Sequence, residues 1–290
     1  MGTTGPKAKQ KPIPFMKLSG SGNDFILVDN RARIVDPRCA GALAAKVCGH
    51  RMSVGGDGLI LIERSRRADF RWRLFNADGS EAEFSGNGAR CAARFAYLKR
   101  IAPQRMRFET LAGIIHAELV MAGPGHKPEA VKVRFPDPTG LRLHLRVPVH
   151  GTTREAHFLH AGVPHCVYFI EDPESIDLVG IGRSTRHHDL FQPAVTNVNF
   201  IKVLDPHHIR IRTYERGVED ETLACGTGSI ASALVASLVT KVETPVTLLP
   251  QSGLPLTVHF ASRGDSFTDV YLQGDARAVY EGRMLPDAWR

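Results

Sequence analysis

The chain has 290 residues, 43% hydrophobic and 23% charged, with 37 basic residues against 30 acidic ones for a formal charge of +7. That length allows two ordinary domains, and no apolar run approaches the roughly 20 residues a membrane-spanning helix needs. The five cysteines, Cys39, Cys48, Cys91, Cys166 and Cys225, are odd in number and scattered, which argues against a disulfide framework.

Residues 1–15 are polar, lack the apolar core of a secretion signal, and read as a disordered lead-in to a cytoplasmic protein. Residues 16–18 read as a short strand, Ser19 to Asp24 as a glycine loop, and Phe25 to Val28 as a strand. Pro37 to Val47 reads as a helix. Cys48 and His50 lie close together, but no second ligand pair follows at metal-site spacing, so no metal is expected. Leu59 to Glu63 and Phe70 to Phe75 read as strands, the latter alternating as a half-buried strand does. Asn87 to Lys99 is the first strong helix, and strands dominate from Arg105 to Phe135.

Pro136-Asp137-Pro138-Thr139-Gly140 is a turn and linker signal. After it the order starts again. Gly162-Val163-Pro164-His165 precedes a strand from Cys166 to Ile170, as Gly20 to Asp24 precedes Phe25. Strands at Asn199 to Val203 and Ile209 to Tyr214 lead to a helix from Thr227 to Leu238. Two segments then stand about 140 residues apart as near copies: Ser85-Gly86-Asn87-Gly88 and Cys225-Gly226-Thr227-Gly228. A repeated offset marks internal duplication. The expected fold is α/β of the α+β type, with two pseudo-symmetric halves. Each is a curved, mostly antiparallel sheet wrapped on a central helix, and the active site lies in the cleft between them. The first half covers 16–138, with 274–290 expected to rejoin it, and the second covers 139–273.

Both copies place glycines at a strand-to-helix turn, where free backbone N–H groups bind anions and stabilise a thiolate. A helix N-terminus can bring a cysteine pKa from about 8.5 into the neutral range, so Cys225 is a candidate base or nucleophile. The spacing lacks the lysine of a phosphate loop and the register of a dinucleotide fingerprint. Asn76 lies nine residues before Ser85 and Arg216 nine before Cys225. Together they suit a carboxylate and an amino group, although Asn76-Ala77-Asp78-Gly79 is also ordinary turn chemistry. No basic run with interleaved aromatics points to nucleic acid, and a small anionic substrate accounts for the charge equally well.

The segments Gly22-Asn23-Asp24-Phe25, Phe75 to Ser80, Gly86 to Cys91, Thr196-Asn197-Val198, Glu215-Arg216-Gly217 and Ala224 to Gly228 resemble the diaminopimelate epimerase family, from about Met16 to the C-terminus. The resemblance implies a homodimeric enzyme of lysine and peptidoglycan biosynthesis. It would interconvert LL- and meso-2,6-diaminoheptanedioate without a cofactor. In that family two cysteines work on opposite faces of the substrate, one removing the α-proton and the other delivering one. By motif, Cys225 is one of them. Gly86, Asn87, Gly226 and Thr227 would bind the reacting carboxylate, Asn23, Asn76, Asn197 and Arg216 the rest of the substrate. Glu215 and His165 match residues that exchange protons with the two thiols.

Two positions depart from the pattern. The residue before Gly-Asn-Gly-Ala-Arg-Cys is a cysteine in the family and Ser85 here. Cys91, six residues further on, sits ~9 Å along a helix axis and cannot substitute. A serine alkoxide is inaccessible near neutral pH without a strong base beside it. Three explanations stand: a cysteine replaced by serine to trap substrate, a natural enzyme in which Ser85, backed by His165, still relays a proton, or a paralogue that keeps only one-sided proton abstraction or ligand binding. Val163 stands where many members carry Asn, which touches the choice among amino acids. A racemase of another amino acid, or a non-catalytic amino-acid-binding protein, is the alternative reading.

Overall fold

The computed structural model describes residues 11–123 and 128–290. Its first two strands, β1 (Ile13–Gly20) and β2 (Asn23–Asp29), form a hairpin with Gly20 opposite Asn23. Only Ser21 and Gly22 are left in the turn, at φ 48° and 95°. Two successive left-handed residues make the tight turn that matches strand twist. The loop expected from Ser19 to Asp24 therefore contracts to two residues. The lead-in is also shorter than expected. Ile13, Pro14 and Phe15 pair with Met284, Arg283 and Gly282, and strand pairing leaves them no freedom to be disordered. Residues 1–10 of that lead-in lie outside the described residues.

Next come α1 (Ala40–Val47), β3 (Gly58–Glu63) parallel to β2, and β4 (Phe70–Asn76) antiparallel to β3. The short β5 (Glu81–Ala82) flanks β4, α2 (Gly86–Leu98) follows, and β6 (Arg105–Thr110) returns parallel to β4. Phe25 to Val28 are all buried, as a strand covered on both faces must be. Ile26 and Val28 join Leu59, Leu61 and Phe75 beneath Leu43, Ala44 and Val47 of α1. α2 lies along β1, β2 and β3. It stops where Arg100 turns left-handed at φ 54°. The amide of Arg100 bonds Tyr97 O at 3.0 Å and that of Ile101 bonds Ala96 O at 2.8 Å, the paired bonds that close a helix C-terminus.

Strands β7 (Gly113–Met121), β8 (Pro128–Arg134) and β9 (Thr139–Val149) lead into a second round. β10 (Thr152–His160) and β11 (Pro164–Phe169) form a hairpin. After α3 (Leu178–Arg186), β12 (Asn197–Asp205) runs parallel to β11 and β13 (His208–Glu215) antiparallel to β12. Then follow β14 (Asp220–Thr222), α4 (Gly226–Val239) and β15 (Val246–Leu249), parallel to β13. The succession of hairpin, helix, parallel strand, antiparallel strand, short flank, helix and parallel strand repeats that of β1 to β6. β16 (Leu256–Arg263), β17 (Ser266–Gly274) and β18 (Arg277–Met284) complete the chain. Even the flanking strand recurs: β18 lies beside β1 as β9 lies beside β10.

Helix α3 was not expected from the sequence. Gly180 and Gly182 depress its helix propensity by about 1 kcal/mol each, yet Asp177 Oδ1 caps it by accepting from Gly180 N at 3.0 Å. Tertiary packing explains Gly182. A Cβ there would stand 2.6 Å from Tyr214 Cβ and Cγ. Gly182→Ala should therefore destabilise the fold by about 1–2 kcal/mol. Overpacking of roughly 1–3 kcal/mol outweighs the propensity gain. A lower urea midpoint with an unchanged m-value would register it.

The described chain comprises two units, residues 11–114 with Arg277–Arg290, and Ile115–Ala276. The division falls inside β7, not at the turn from Pro136 to Gly140, because β8 pairs antiparallel with β17. Each unit is mixed α/β with mostly antiparallel strands. Each has a central helix, α2 or α4, and one further helix: α1, which lies within the helix expected from Pro37 to Val47, and α3, which was not expected. No helix among the described residues is long and apolar enough to cross a membrane.

Candidate active site

In each unit the first residue of the duplicated segment is the N-cap of the central helix. Ser85 is extended at φ −148°, and its Oγ accepts from Gly88 N at 3.1 Å. Cys225 is extended at φ −112°, and its Sγ accepts from Gly228 N at 3.4 Å. Each cap satisfies one of the orphan amides of a helix start. Glycine at the third helical position makes this possible. A Cβ at Gly88 would crowd Ser85 Oγ and Trp72, and one at Gly228 would collide with Asn199 Oδ1.

In the first unit, Asn87 Nδ2 donates to Asn23 Oδ1 at 2.6 Å, and Asn23 Nδ2 donates to Asp57 Oδ2 at 3.0 Å. Arg90, fully buried, donates to Asn87 Oδ1 and Ser21 Oγ, both at 2.7 Å. Asp57 and Asp24 each accept from the other's backbone N–H. Buried Lys17 pairs with Asp24 at 2.8 Å and donates to the Gly55 carbonyl. Asn23, Asn87, Arg90, Ser21 and Asp57 thus hold one another in place at the start of α2, where Ser85 is the N-cap. Asn76 stands apart. It is exposed at the end of β4, and its Nδ2 donates to Ser80 Oγ at 3.0 Å within its own turn.

In the second unit, Cys225, Glu215, His165, Thr227, Asn197 and Arg216 gather around the start of α4. Thr227 Oγ1 lies 3.6 Å from Cys225 Sγ and 2.9 Å from His165 Nε2. Glu215 Oε2 accepts from Thr222 Oγ1 at 2.8 Å, and its carboxylate lies close enough to the Cys225 thiol to influence its titration. Asn197, buried, accepts the Arg216 amide at 2.7 Å and donates to Pro164 O at 3.3 Å. The Arg216 guanidinium reaches Ala194 O at 3.0 Å. Gly226 packs on Leu272, whose Cδ2 would be 2.8 Å from a Cβ there.

The charge state of Cys225 reverses the expectation drawn from its helix position. Burial, reinforced by the Glu215 carboxylate, pushes the thiol up to about 12, although the Thr227 hydroxyl and the amides of Gly228 and Thr227 pull it down. Desolvation outweighs the helix N-terminus here. Burial also raises Glu215 above the usual carboxylate range, against hydrogen bonds from Thr222 and Cys225. The resting site therefore holds Cys225 as a protonated thiol, beside a carboxylate whose own affinity for a proton is raised. Burial drives His165 down to about 3, with the charges of His160 and Arg216 adding to the effect, so its imidazole is neutral at physiological pH.

That shift has a consequence for stability. The folded value lies below the ordinary 6.5, so the unfolded chain binds the proton more readily. Stability from neutral His165 is complete above about 6.5 and is lost as pH falls towards 3, at no more than about 1.4 kcal/mol per pH unit. Denaturant midpoints taken from pH 7 to pH 4 should fall steeply in the native chain and less steeply in His165→Gln.

Asn199, Thr213, Arg90, Asp57 and Lys17 support the site, and sequence reasoning missed them. A signal existed for Asn199: it alternates with Asn197 in an otherwise apolar strand, which puts both on one face. Cys48 is buried at the end of α1 and His50 is exposed. His144, Glu155 and His157 stand close enough to share a cation. However, the His144 amide donates to His157 Nδ1 at 3.2 Å, which leaves the ring proton on Nε2, the nitrogen that faces Glu155.

A family model described as diaminopimelate epimerase matches residues 15–133 and 158–278. A diaminopimelate epimerase of Aquifex aeolicus is 43% identical over 281 residues, covering 94% of this chain and 98% of its own. One from Chlorobaculum tepidum is 39% identical over 268 residues, covering 92% and 99%. The chain belongs to the diaminopimelate epimerase family. Among solved structures, a phenazine biosynthesis protein of the PhzF family from Bacillus anthracis matches with TM-score 0.68 at 15% identity, over 95% of this chain and 99% of that one. A hydroxyproline epimerase from Agrobacterium vitis matches with TM-score 0.66 at 16% identity, over 95% and 93%. At those identities the likeness is one of fold, shared by the diaminopimelate epimerase family and these proteins.

Proposed function

We propose that the protein epimerises one α-carbon of LL-2,6-diaminoheptanedioate to give the meso form, with no cofactor, and that Cys225 and Ser85 serve the two faces of that carbon. The observation that carries this reading is the matched pair of N-caps. Two helices from duplicated units begin with the same geometry, and each presents one proton-carrying side chain beside free backbone amides.

The reacting carboxylate sits on the amides of Gly86 and Asn87 and of Gly226 and Thr227, which favour negative charge. As the α-proton leaves, charge spreads onto that carboxylate, and fixed donors stabilise it in place of water. Cys225 first transfers its proton to Glu215 and then acts as base, or gives its proton directly when it acts as acid. Ser85 holds a hydroxyl on the other face. It can deliver a proton to a carbanion, but it is a poor base. Asn23, Asn76, Asn197 and Arg216 hold the remaining amino and carboxylate groups. Glu215 serves Cys225, and so does His165 through Thr227.

The family resemblance also supports a cytoplasmic homodimer, for which light scattering of the purified chain should return twice the monomer mass. Incubation of the native chain in deuterated water with a panel of amino acids tests the substrate. Solvent deuterium should enter diaminopimelate at the α-carbon. Exchange into proline or histidine, with none into diaminopimelate, would assign the scaffold to another amino acid, as the apolar Val163 in place of a polar residue would permit.

A further inference from the structure

We infer that Asn199 is a positioning residue that fixes the tautomer of His165, and through it compels the Thr227 hydroxyl to donate to Cys225 Sγ. The inference rests on the reading of Cys225 as an acid/base residue. The argument runs through one buried line of donors in the second unit. Asn199 Nδ2 lies 3.1 Å from the Cys166 carbonyl oxygen and 3.2 Å from His165 Nδ1. A carbonyl only accepts, so the group facing it is the amide NH2. The other end of the amide agrees: Asn199 Oδ1 accepts from Thr213 Oγ1 at 3.0 Å.

With the amide so oriented, His165 Nδ1 must accept, and the single ring proton of the neutral imidazole sits on Nε2. That Nε2–H points at Thr227 Oγ1, 2.9 Å away. The Thr227 oxygen accepts it, which leaves its own hydrogen for Cys225 Sγ at 3.6 Å. Asn199 and His165 are fully buried and Thr213 nearly so, so no solvent competes for the bonds among these three, while Thr227 is half-buried. Every link donates in the same direction, from Thr213 through Asn199, His165 and Thr227 to the sulfur. The sulfur then has a fixed donor whenever it becomes a thiolate, and His165 acts as an orienting donor.

Two readouts on the full chain test this. Nitrogen-15 NMR of the histidine rings reports the tautomer, and the rate of Cys225 alkylation by iodoacetamide, followed by mass spectrometry of its peptide, reports the thiolate. The native chain should show His165 with hydrogen on Nε2. Asn199→Asp puts an acceptor where the donor was, so the hydrogen should move to Nδ1. Thr227 would then donate to His165 and leave the sulfur. Alkylation at fixed pH should slow by about 10- to 100-fold, the effect of one hydrogen bond to a charged group. Thr213→Val, which only unfastens the amide, should give mixed tautomers and a smaller loss, with Thr213→Ser restoring it. Hydrogen on Nδ1 in the native chain would overturn the inference. So would a reversed tautomer with unchanged alkylation. Neither readout requires turnover, so a failure to epimerise diaminopimelate would count against the functional reading alone.

Discussion

Ser85→Cys should raise kcat for diaminopimelate by roughly 10²–10⁴-fold, the range that a well-placed general acid or base contributes. The substitution changes one atom at a position whose geometry already matches Cys225. Ser85 Oγ accepts Gly88 N as Cys225 Sγ accepts Gly228 N. A thiol is more acidic than a hydroxyl by several pKa units, and its thiolate is attainable, so both directions of proton transfer on that face become available. The gain comes with a structural loss. Serine is a preferred N-cap and sulfur is a weak acceptor. The variant should therefore unfold at a lower urea midpoint, by up to about 1 kcal/mol. Steady-state kinetics and denaturation on the same preparation would show activity and stability moving in opposite directions. Unchanged kcat in a folded Ser85→Cys chain would show that the hydroxyl is not the weak point.

The reciprocal change, Cys225→Ser, should lower kcat by about 10²–10⁴-fold and leave the fold as stable as before, or more so. The serine oxygen caps α4 at least as well as sulfur does. What disappears is the thiol 3.6 Å from Thr227 Oγ1 whose titration the Glu215 carboxylate influences. Glu215 would then face a hydroxyl whose proton it cannot remove. KM should change much less than kcat, because the amides of Gly226 and Thr227 still hold the carboxylate, and loss of an interaction made mainly in the transition state appears in kcat. A loss confined to KM would place Cys225 in binding instead of proton transfer.

Much of this arrangement was legible in the sequence because it is local. The glycine-flanked helices, the offset of about 140 residues and the strands between them all follow from short-range periodicity and turn chemistry, and they reappear as α2, α4 and matching strand plans. The twofold family match, over residues 15–133 and 158–278, has the same origin. Helix α3 was illegible because its own residues argue against it; the groove over Tyr214 that requires Gly182 exists only after folding. The state of Cys225 was misjudged for a related reason. A helix N-terminus is visible in a sequence, but the burial that overrides it is not. For Asn199 the alternation with Asn197 marks the face it shares, but which of its atoms meets the Cys166 carbonyl is fixed only by the folded geometry.

The central claim is that Cys225 and Ser85 act on opposite faces of one α-carbon. Hydrogen exchange by Ser85→Ala in deuterated water, with the LL and meso isomers supplied separately, tests it most directly. Cys225 should still remove and return a proton on its own face. Deuterium should therefore enter one configuration with retention, while inversion falls by at least about 10²-fold. Deuterium appearing in the inverted product at the native rate would contradict the account, because the second face would then be served by a group other than Ser85.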